Sequence, residues 1–411
     1  MTIRTRMAPS PTGLLHIGTA RTALFNYLFA KKNAGQFVLR MEDTDKERSK
    51  PEYEVDIIEG LTWLGIHWDE GPNIGGPYGP YRQSERIDIY KKYLTELFEK
   101  DLLYPCYCTQ AELEQERELQ TLAKQPPRYS GKCRALTAEE RRAREGQGRT
   151  STLRFRMPQE VVTISDLIRG DITFDTSTLD DIIIAKNFDA PLFNFAVIVD
   201  DALMKITHVI RGEDHISNTP KQILLGRALG FESPPQFGHL PLILNADKTK
   251  LSKRQNKVSL SEYKADYLPE SFINFMVLLG WSPEGDRELF ALSELEGAFD
   301  LSRVHKAGAV FNMDKLDWFN AHYIREMPIR ELANLCIPQL IDARLISENA
   351  DDGGYAVIPT GRIVSREDLE RMIALEHQRM KKLSDIKSSL SYLFCDVPSY
   401  DPSILKWKEM T

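Results

Sequence analysis

The chain has 411 residues, of which 42% are hydrophobic and 27% charged, so it belongs with globular proteins of several domains rather than with disordered or fibrous ones. Its five cysteines exclude a disulfide framework, and no apolar run approaches the roughly 20 residues that span a bilayer. A net charge of −7 disfavours a nucleic-acid partner only weakly, because a local basic face is compatible with it. The N-terminus lacks an apolar signal core, which predicts a cytoplasmic protein with no membrane partner.

Strands and helices alternate over residues 1–110. Residues 3–7 and 37–41 are predicted strands, and a helix with one apolar face is predicted to open at His16 between them. Strand–helix–strand order predicts a parallel sheet with right-handed crossovers. His16 would then stand at a helix N-terminus, which suits a phosphate, and Gly18 would let a nucleotide approach the backbone. An isolated His-x-Gly is more often an ordinary surface histidine.

The α/β pattern is interrupted by a block that we interpret as an insertion. This block carries β signals at 161–164, 182–184 and 193–199. Residues 206–210 predict a strand that returns to the parallel sheet. From about 256 onward helical periodicity dominates, and residues 326–411 are predicted to be all-helical apart from the loop at 351–354.

A dense run of cations follows the returning strand: Lys248-Thr-Lys250-Leu-Ser252-Lys253-Arg254. Such runs usually form a solvated surface. At this place in an α/β domain, however, a mobile loop could fold over a bound triphosphate. Its lysine ammonium groups would neutralise a pyrophosphate leaving group as charge accumulates on it.

These two segments together resemble the paired HIGH and KMSKS signatures of class I aminoacyl-tRNA synthetases. The matching residues are His16-Ile-Gly18-Thr19 and Lys250-Leu-Ser-Lys253-Arg254, in the order of the family. Further segments are similar to the glutamyl type: Leu39-Arg-Met-Glu42-Asp-Thr-Asp45, Gly79-Pro-Tyr-Arg-Gln-Ser-Glu85 and Val209-Ile-Arg211-Gly-Glu-Asp-His215. The chain therefore resembles the bacterial-type glutamyl-tRNA synthetases through residues 1–325, and less so beyond them.

The resemblance implies a role for each matching residue. It assigns catalysis to His16, Gly18, Lys250 and Lys253. It assigns ATP binding to Thr12, His16, Gly18, Thr19, Asp214 and Lys253. It assigns amino-acid binding to Arg6, Ser10, Glu42, Phe193 and Arg211. Phe193 departs from the common pattern, which has a tyrosine there, so the hydrogen bond of that hydroxyl is lost or supplied by another group.

The charges at the amino-acid positions are consistent with glutamate. Glu42 can pair with the ammonium of the substrate, while Arg6 and Arg211 offer guanidinium groups to carboxylates. The related glutaminyl enzymes lack an arginine at the position of Arg211, which favours glutamate over glutamine. The alternative is that Arg6 or Arg211 forms a structural salt bridge.

A possible zinc site lies in the insertion. Cys106-Tyr-Cys108 and Tyr129-Ser-Gly-Lys-Cys133 provide three thiols and a phenol, and some relatives carry zinc on a similar pattern. Several of these relatives have a histidine as fourth ligand, whereas this chain offers Tyr129, a less common ligand. Ordinary reduced cysteines in a helical insertion are the alternative.

The predicted fold class is α/β, with a split Rossmann-like parallel-sheet catalytic domain, an α+β insertion and all-helical C-terminal regions. The predicted divisions are 1–105 and 196–255 for the two catalytic halves, 106–195 for the inserted acceptor-end-binding domain, 256–325 for a helical stem-contact domain, and 326–411 for a partial helical anticodon-binding domain. Bacterial-type members usually continue into a second helical subdomain, so we expect this chain to bind ATP and glutamate but to charge tRNA poorly.

The function that the resemblance implies is ATP-dependent activation of glutamate, with Mg²⁺ on the pyrophosphate, followed by transfer to tRNA(Glu). Charging of tRNA(Gln) and a monomeric state are further expectations. One alternative is the branch that attaches glutamate to queuosine of tRNA(Asp); the intact lysine run and the helices after 325 argue against it. A non-catalytic tRNA-binding module is the other, and the intact His16, Glu42, Arg211 and Lys253 argue against that.

Overall fold

The computed structural model describes residues 2–231, 233–252, 257–348 and 354–395. Lys253 and Arg254 of the lysine run lie outside the described residues. The chain divides into two compact units, one formed by Met1–Ser261 and Met276–Phe311, the other by Glu262–Phe275 and Asn312–Thr411.

Strands and helices alternate along most of the described chain. The strands are β1 (Arg4–Met7), β2 (Gln36–Leu39), β3 (Leu103–Cys106), β4 (Thr152–Phe155), β5 (Val161–Asp166), β6 (Gly170–Asp175), β7 (Ile183–Asn187), β8 (Ala190–Pro191), β9 (His208–Gly212), β10 (Gln236–Leu240), β11 (Ile243–Leu244), β12 (Ala309–Val310), β13 (Ile346–Glu348), β14 (Tyr355–Val357) and β15 (Ile363–Val364). The α-helices are α1 (Ile17–Lys32), α2 (Pro51–Trp63), α3 (Ile87–Glu99), α4 (Gln110–Leu122), α5 (Ala138–Gly146), α6 (Phe193–Leu203), α7 (Thr219–Ala228), α8 (Pro269–Val277), α9 (Leu292–Ala298), α10 (Met313–Glu326), α11 (Ile329–Asp342), α12 (Arg366–Glu376), α13 (Asp385–Ser389) and α14 (Ser391–Phe394).

A parallel sheet assembled from two distant parts of the sequence forms the centre of the first unit. β1 pairs in parallel with β2, and β9 pairs in parallel with β10. The N–H of Thr207 donates to the carbonyl of Arg4 at 2.9 Å, which places β1 beside the start of β9. Leu24, Phe25 and Leu28 of α1 are fully buried, because this crossover helix packs its apolar face on the sheet. The predicted split parallel sheet is confirmed.

The residues between the two halves form two structures. β3, β4, β7 and β8 make an antiparallel sheet of their own. The β5–β6 hairpin instead extends the parallel sheet, in the order β6-β5-β10-β9. The division of the chain into functional domains stays a prediction.

The predicted strand at 193–199 is wrong, because this segment lies in helix α6. Residues 195–201 are buried throughout, so the apolar run has no exposed face that would reveal its period. A fully buried helix and a fully buried strand have the same apolar pattern.

Most of the predicted helical content of the second unit is confirmed, but its all-helical character is wrong in one place. β13, β14 and β15 form a three-stranded antiparallel sheet. Ile346, Val357 and Val364 are buried in the core of that unit. Strands this short show too few alternations to be separated from helix ends by pattern. Within the described ranges, no helix combines the length and apolar character needed to cross a bilayer.

Candidate active site

A cavity of about 470 Å³ opens at the carboxyl ends of β1 and β9. Ligands of open α/β sheets bind at this edge, where strand order reverses. Of the residues predicted from sequence, those lining the cavity are Arg6, Ser10, His16, Gly18, Thr19, Glu42, Phe193, Arg211, Asp214 and Lys250. Thr12 is exposed and does not line it. Lys253 lies outside the described residues.

His16 caps the helix that faces the cavity. Its Nδ1 accepts the N–H of Gly18 at 3.2 Å, and α1 begins at the next residue, Ile17. Because Nδ1 accepts, the neutral ring carries its proton on Nε2, which makes that nitrogen a donor. The helix N-terminus adds its positive dipole end, so the arrangement suits a phosphate group.

Helix α2 holds the loop before His16 in place. Asp56 accepts the N–H of Leu15 at 2.6 Å. A Cβ on Gly60 would lie 2.6 Å from Cδ2 of Leu15, so a larger residue here would require the Leu15 side chain to shift. The loop is therefore fixed by one hydrogen bond and one close packing contact.

The chain after the lysine run returns to the same helix end. Ser259 forms an antiparallel bridge with His16. The N–H of Ile17 donates to Val258 at 2.9 Å, and the N–H of Leu260 donates to Leu15 at 2.8 Å. Residues 258–260 are thus tied to the helix end that His16 caps.

Lys250 belongs to the described part of the lysine run. Its Nζ lies 3.2 Å from a carboxylate oxygen of Asp214, and both side chains are about half exposed. Burial would raise the pKa of Asp214, but its hydrogen bond with Lys250 holds the pKa below its usual range. An exposed pair of this kind contributes little stability, so the lysine can exchange this partner for an anionic ligand.

Arg6 and Glu42, which are predicted to bind the amino acid, belong to a buried network of ion pairs. Arg40 is fully buried and contacts Asp201 at 2.7 Å and Glu42 at 2.9 Å. Arg6 contacts the same Asp201 at 3.2 Å. Burial would raise the pKa of Asp201, but the two guanidinium groups hold it below its usual range. Arg6 therefore forms a salt bridge and also lines the cavity.

The cost of burying the charge of Glu42 is offset less completely by nearby cations than that of Asp201. Burial raises the pKa of Glu42, and Arg40, its nearest cation, opposes that shift only in part. The carboxylate lines the cavity, where an ammonium group of a ligand would favour its charged form.

Arg211 is only 6% exposed, and no aspartate or glutamate of the described residues lies within 4 Å of its guanidinium. Its Nε donates to Nε2 of His239 at 3.3 Å, and its Nη2 donates to Oγ1 of Thr219 at 2.8 Å. Burial, with the nearby Arg6, lowers its pKa to about 9. Asp201, Glu42 and Asp214 oppose this shift from a distance, but a buried cation that no carboxylate of the described residues contacts favours binding of an anion from outside the chain.

Phe193 and His215 form the aromatic side of the cavity. Their ring centroids lie 5.5 Å apart. Burial and the Arg211 cation lower the pKa of His215 to about 4, so this imidazole is neutral near pH 7. His215 belongs to a segment that resembles the family, yet sequence reasoning gave it no separate role.

The three cysteines of the insertion lie together. Their sulfurs are within 4.8 Å of one another, and Cys108 and Cys133 are 3.7 Å apart. The sulfur of Cys106 lies 3.5 Å from the hydroxyl oxygen of Tyr129, which accepts its S–H when the thiol is protonated. Hydrogen bonds, that from the Cys133 thiol first, lower the pKa of Cys106 to about 4. One thiolate beside two thiols is a donor set that fits zinc.

Sequence reasoning missed Arg40, Asp201 and His239 as parts of this site. Each is a polar residue within or next to an apolar run, and this pattern is the feature of the sequence that could have identified it. The signal indicates a buried polar group but not its partner. The partners come from other strands and helices, more than 100 residues away for Arg40 and Asp201.

Residues 2–318 match the family model of the catalytic domain of class I tRNA synthetases (E and Q). A glutamate–tRNA ligase of Caldicellulosiruptor saccharolyticus is 48% identical over 99% of this chain and 83% of its own length. One of Natranaerobius thermophilus is 52% identical over 84% of this chain and 71% of its own length. A crystal structure of a glutamate tRNA ligase from Elizabethkingia meningosepticum in complex with its amino acid has a TM-score of 0.85 and 37% identity, and covers 98% of this chain and 82% of its own. The chain belongs to the glutamate–tRNA ligase family of class I tRNA synthetases.

Proposed function

We propose that this protein activates glutamate with ATP and transfers the glutamyl group from the adenylate to the 3' end of tRNA(Glu). The observation that carries the proposal is Arg211, a buried cation without a carboxylate neighbour among the described residues, in the same cavity as the His16 helix end. The curated relatives named above are glutamate–tRNA ligases, which supports the same substrate.

In this proposal glutamate binds between cationic and anionic groups. Glu42 pairs with the ammonium, and Arg211 and Arg6 receive the carboxylates. Ser10 supplies a polar contact beside them, and the ring of Phe193 closes the apolar side of the cavity. A phenylalanine offers no hydroxyl, so hydrogen bonding at this wall falls to other groups.

ATP occupies the part of the cavity at the helix end. The α-carboxylate of glutamate attacks the α-phosphorus, and pyrophosphate leaves. His16 donates from Nε2 to a phosphate oxygen, Gly18 of α1 leaves the backbone accessible, and Thr19 lines the same part of the cavity. Lys250 and Lys253 neutralise the leaving pyrophosphate, and Mg²⁺ accompanies it. Asp214 also lines this cavity, whereas the contact predicted for Thr12, which does not line it, stays a prediction.

Zinc on Cys106, Cys108 and Cys133, with Tyr129 as fourth ligand, is part of the proposal. Tetrahedral bonds of about 2.3 Å to sulfur place the sulfurs about 3.8 Å apart, which fits the 3.7 Å between Cys108 and Cys133. The ion would have a structural role, because four protein ligands leave no open position.

Charging with glutamate or glutamine of purified tRNA(Glu), tRNA(Gln) and tRNA(Asp) tests the function. We expect glutamate on tRNA(Glu). Glutamine as the preferred amino acid contradicts the role of Arg211, and glutamate on tRNA(Asp) alone moves the protein to the queuosine-modifying branch. The same assay decides whether tRNA(Gln) is also a substrate. The monomeric state and the cytoplasmic location stay predictions.

The Arg211→Gln variant tests the residue that carries the proposal. We expect the KM for glutamate in pyrophosphate exchange, run with tRNA present, to rise about 100-fold, since a charge-assisted contact is lost. Arg227→Gln is the matched control: Arg227 is an arginine of the same unit with a 57% exposed side chain. An unchanged KM in Arg211→Gln contradicts the proposed recognition.

A further inference from the structure

Three adjacent strands each contribute one polar side chain to a buried chain of hydrogen bonds. Asp166 ends β5, His239 lies in β10, and Arg211 lies in β9. The parallel register pairs His239 directly with Arg211, so their side chains emerge on the same face of the sheet. The side chains of His239 and Asp166 are 1% and 0% exposed.

The hydrogen bonds determine where the proton of the imidazole lies. Oδ1 of Asp166 accepts the backbone N–H groups of Ile168 at 3.0 Å and Arg169 at 2.9 Å, and that of His239 at 3.3 Å. Oδ2 is left for Nδ1 of His239, at 2.6 Å. Burial lowers the pKa of His239, so the ring is neutral and its single proton lies on Nδ1.

Nε2 of His239 therefore presents a lone pair to Arg211. It accepts the Nε–H of that guanidinium at 3.3 Å and also lies 3.1 Å from Oγ1 of Thr219, which accepts from Nη2 of Arg211 at 2.8 Å. The ring of Phe237 lies 5.5 Å from the guanidinium carbon. Within the described residues, Nη1 makes no hydrogen bond, and Arg211 lines the cavity, so this nitrogen remains available to a ligand that binds there.

We propose that His239, oriented by Asp166, is a positioning residue that holds the Arg211 guanidinium in the orientation that receives the carboxylate of glutamate. This inference rests on the proposed function. His239 does not line the cavity, so it acts only through Arg211. The carboxylate of Asp166 selects the tautomer that offers an acceptor to the guanidinium, because in the other tautomer Nε2–H would oppose the Nε–H of Arg211 and could donate only to Oγ1 of Thr219, 3.1 Å away.

A pair of amide variants tests the acceptor. The oxygen of His239→Gln reaches the place of Nε2 and accepts from Arg211, whereas the shorter side chain of His239→Asn reaches only the place of Nδ1. We expect the KM for glutamate to rise about tenfold in His239→Asn and to stay within about threefold of the unsubstituted value in His239→Gln. The KM for ATP stays unchanged in both. Equal effects of the two variants, or a parallel rise in the KM for ATP, overturn the positioning role.

Asp166→Asn tests the orientation of the ring without removing it. Three backbone donors hold the oxygen of the new amide at the place of Oδ1, so its NH₂ group faces Nδ1 of His239. The proton of the ring then moves to Nε2, opposite the N–H of Arg211. ¹⁵N spectra of ring-labelled histidine should show the Nδ1–H tautomer of His239 in the unsubstituted chain and the Nε2–H tautomer in Asp166→Asn, with a rise in the KM for glutamate. An unchanged tautomer overturns the proposal.

The two proposals fail in different ways. Absence of glutamate-dependent exchange in the unsubstituted chain contradicts the proposed function. Normal exchange in that chain, together with an unchanged KM for glutamate in His239→Asn and Asp166→Asn, contradicts only the positioning role. The spectra measure the tautomer independently of activity, and thermal unfolding confirms that the variants are folded.

Discussion

The backbone N–H of Ile17 donates to the carbonyl of Val258 at 2.9 Å, which joins the helix end capped by His16 to the chain that follows the lysine run. The two family signatures are more than 200 residues apart in sequence, and this bond with its neighbour from Leu260 to Leu15 joins the first signature to residues that follow the second. Residues 258–260 are therefore held against the helix end that His16 caps. Backbone groups make the connection, so it does not depend on particular side chains.

Removing one N–H from this bridge should weaken ATP binding. Leu260→Pro deletes the donor to Leu15, whereas Leu260→Ala loses packing but keeps the N–H. We expect the KM for ATP in pyrophosphate exchange to rise at least about fivefold more in Leu260→Pro than in Leu260→Ala, which corresponds to about 1 kcal/mol for one hydrogen bond. Equal KM values in the two variants would show that the bridge does not position the ATP site.

A methyl group on Gly18 should project into the cavity and hinder nucleotide binding without disturbing the fold. A Cβ at this position meets only Nδ1 of His16, at 3.5 Å, an ordinary contact, and it lies on the wall of the cavity. We expect Gly18→Ala to unfold at the same temperature or slightly higher, with the KM for ATP raised about tenfold or more. Gly297→Ala, a helical glycine with open space around its Cβ, is the control. Unchanged ATP kinetics in Gly18→Ala contradict the predicted nucleotide contact.

The cysteine cluster should bind zinc, and replacement of a ligand should weaken this binding. We expect about one zinc per chain after dialysis against micromolar zinc and loss of most of it in Cys106→Ser. Cys395→Ser serves as control because Cys395 is exposed and distant in sequence from the cluster. Tyr129→Phe should lower zinc affinity if the phenol is the fourth ligand, and unchanged affinity would exclude it. A chain that takes up no zinc contradicts the site.

Three histidines of the first unit should make stability fall in mild acid. Burial lowers the pKa of His208, His215 and His239 in the folded chain, that of His215 to about 4. In the unfolded chain histidine titrates near 6.5. The unfolded chain therefore takes up protons that the folded one does not, so stability is present above about pH 6.5 and is lost as the pH falls toward 4.

The free energy of unfolding in urea, measured at pH 7.5 and 5.0, tests this dependence. His215 alone should account for a loss of about 1 kcal/mol after discounting for its partial exposure. His215→Phe keeps a ring against Phe193 but cannot titrate, so its stability should fall less over the same interval. A slope identical to that of the unsubstituted chain would show that His215 is not part of the effect.

The sequence indicated much of the site but not its electrostatics. His16 at a helix start, Arg211 at the end of a strand and the lysine run could be recognised from local pattern. The pairing of Arg6 and Arg40 with Asp201 could not, because Asp201 was placed next to a predicted strand that is helix α6. Nor could the pattern show that Arg6 has a carboxylate partner while Arg211 has none among the described residues.

What the sequence determined by itself is the order of elements and the chemical groups they carry, because the apolar period of each element, its glycines and its caps act between residues close in the chain. The tertiary structure decided which groups face each other. β5, β10 and β9 come from separate parts of the chain, and only their parallel register places Asp166, His239 and Arg211 in line. Charge and proton positions follow from burial and from these long-range partners, and neither is a local property of the sequence.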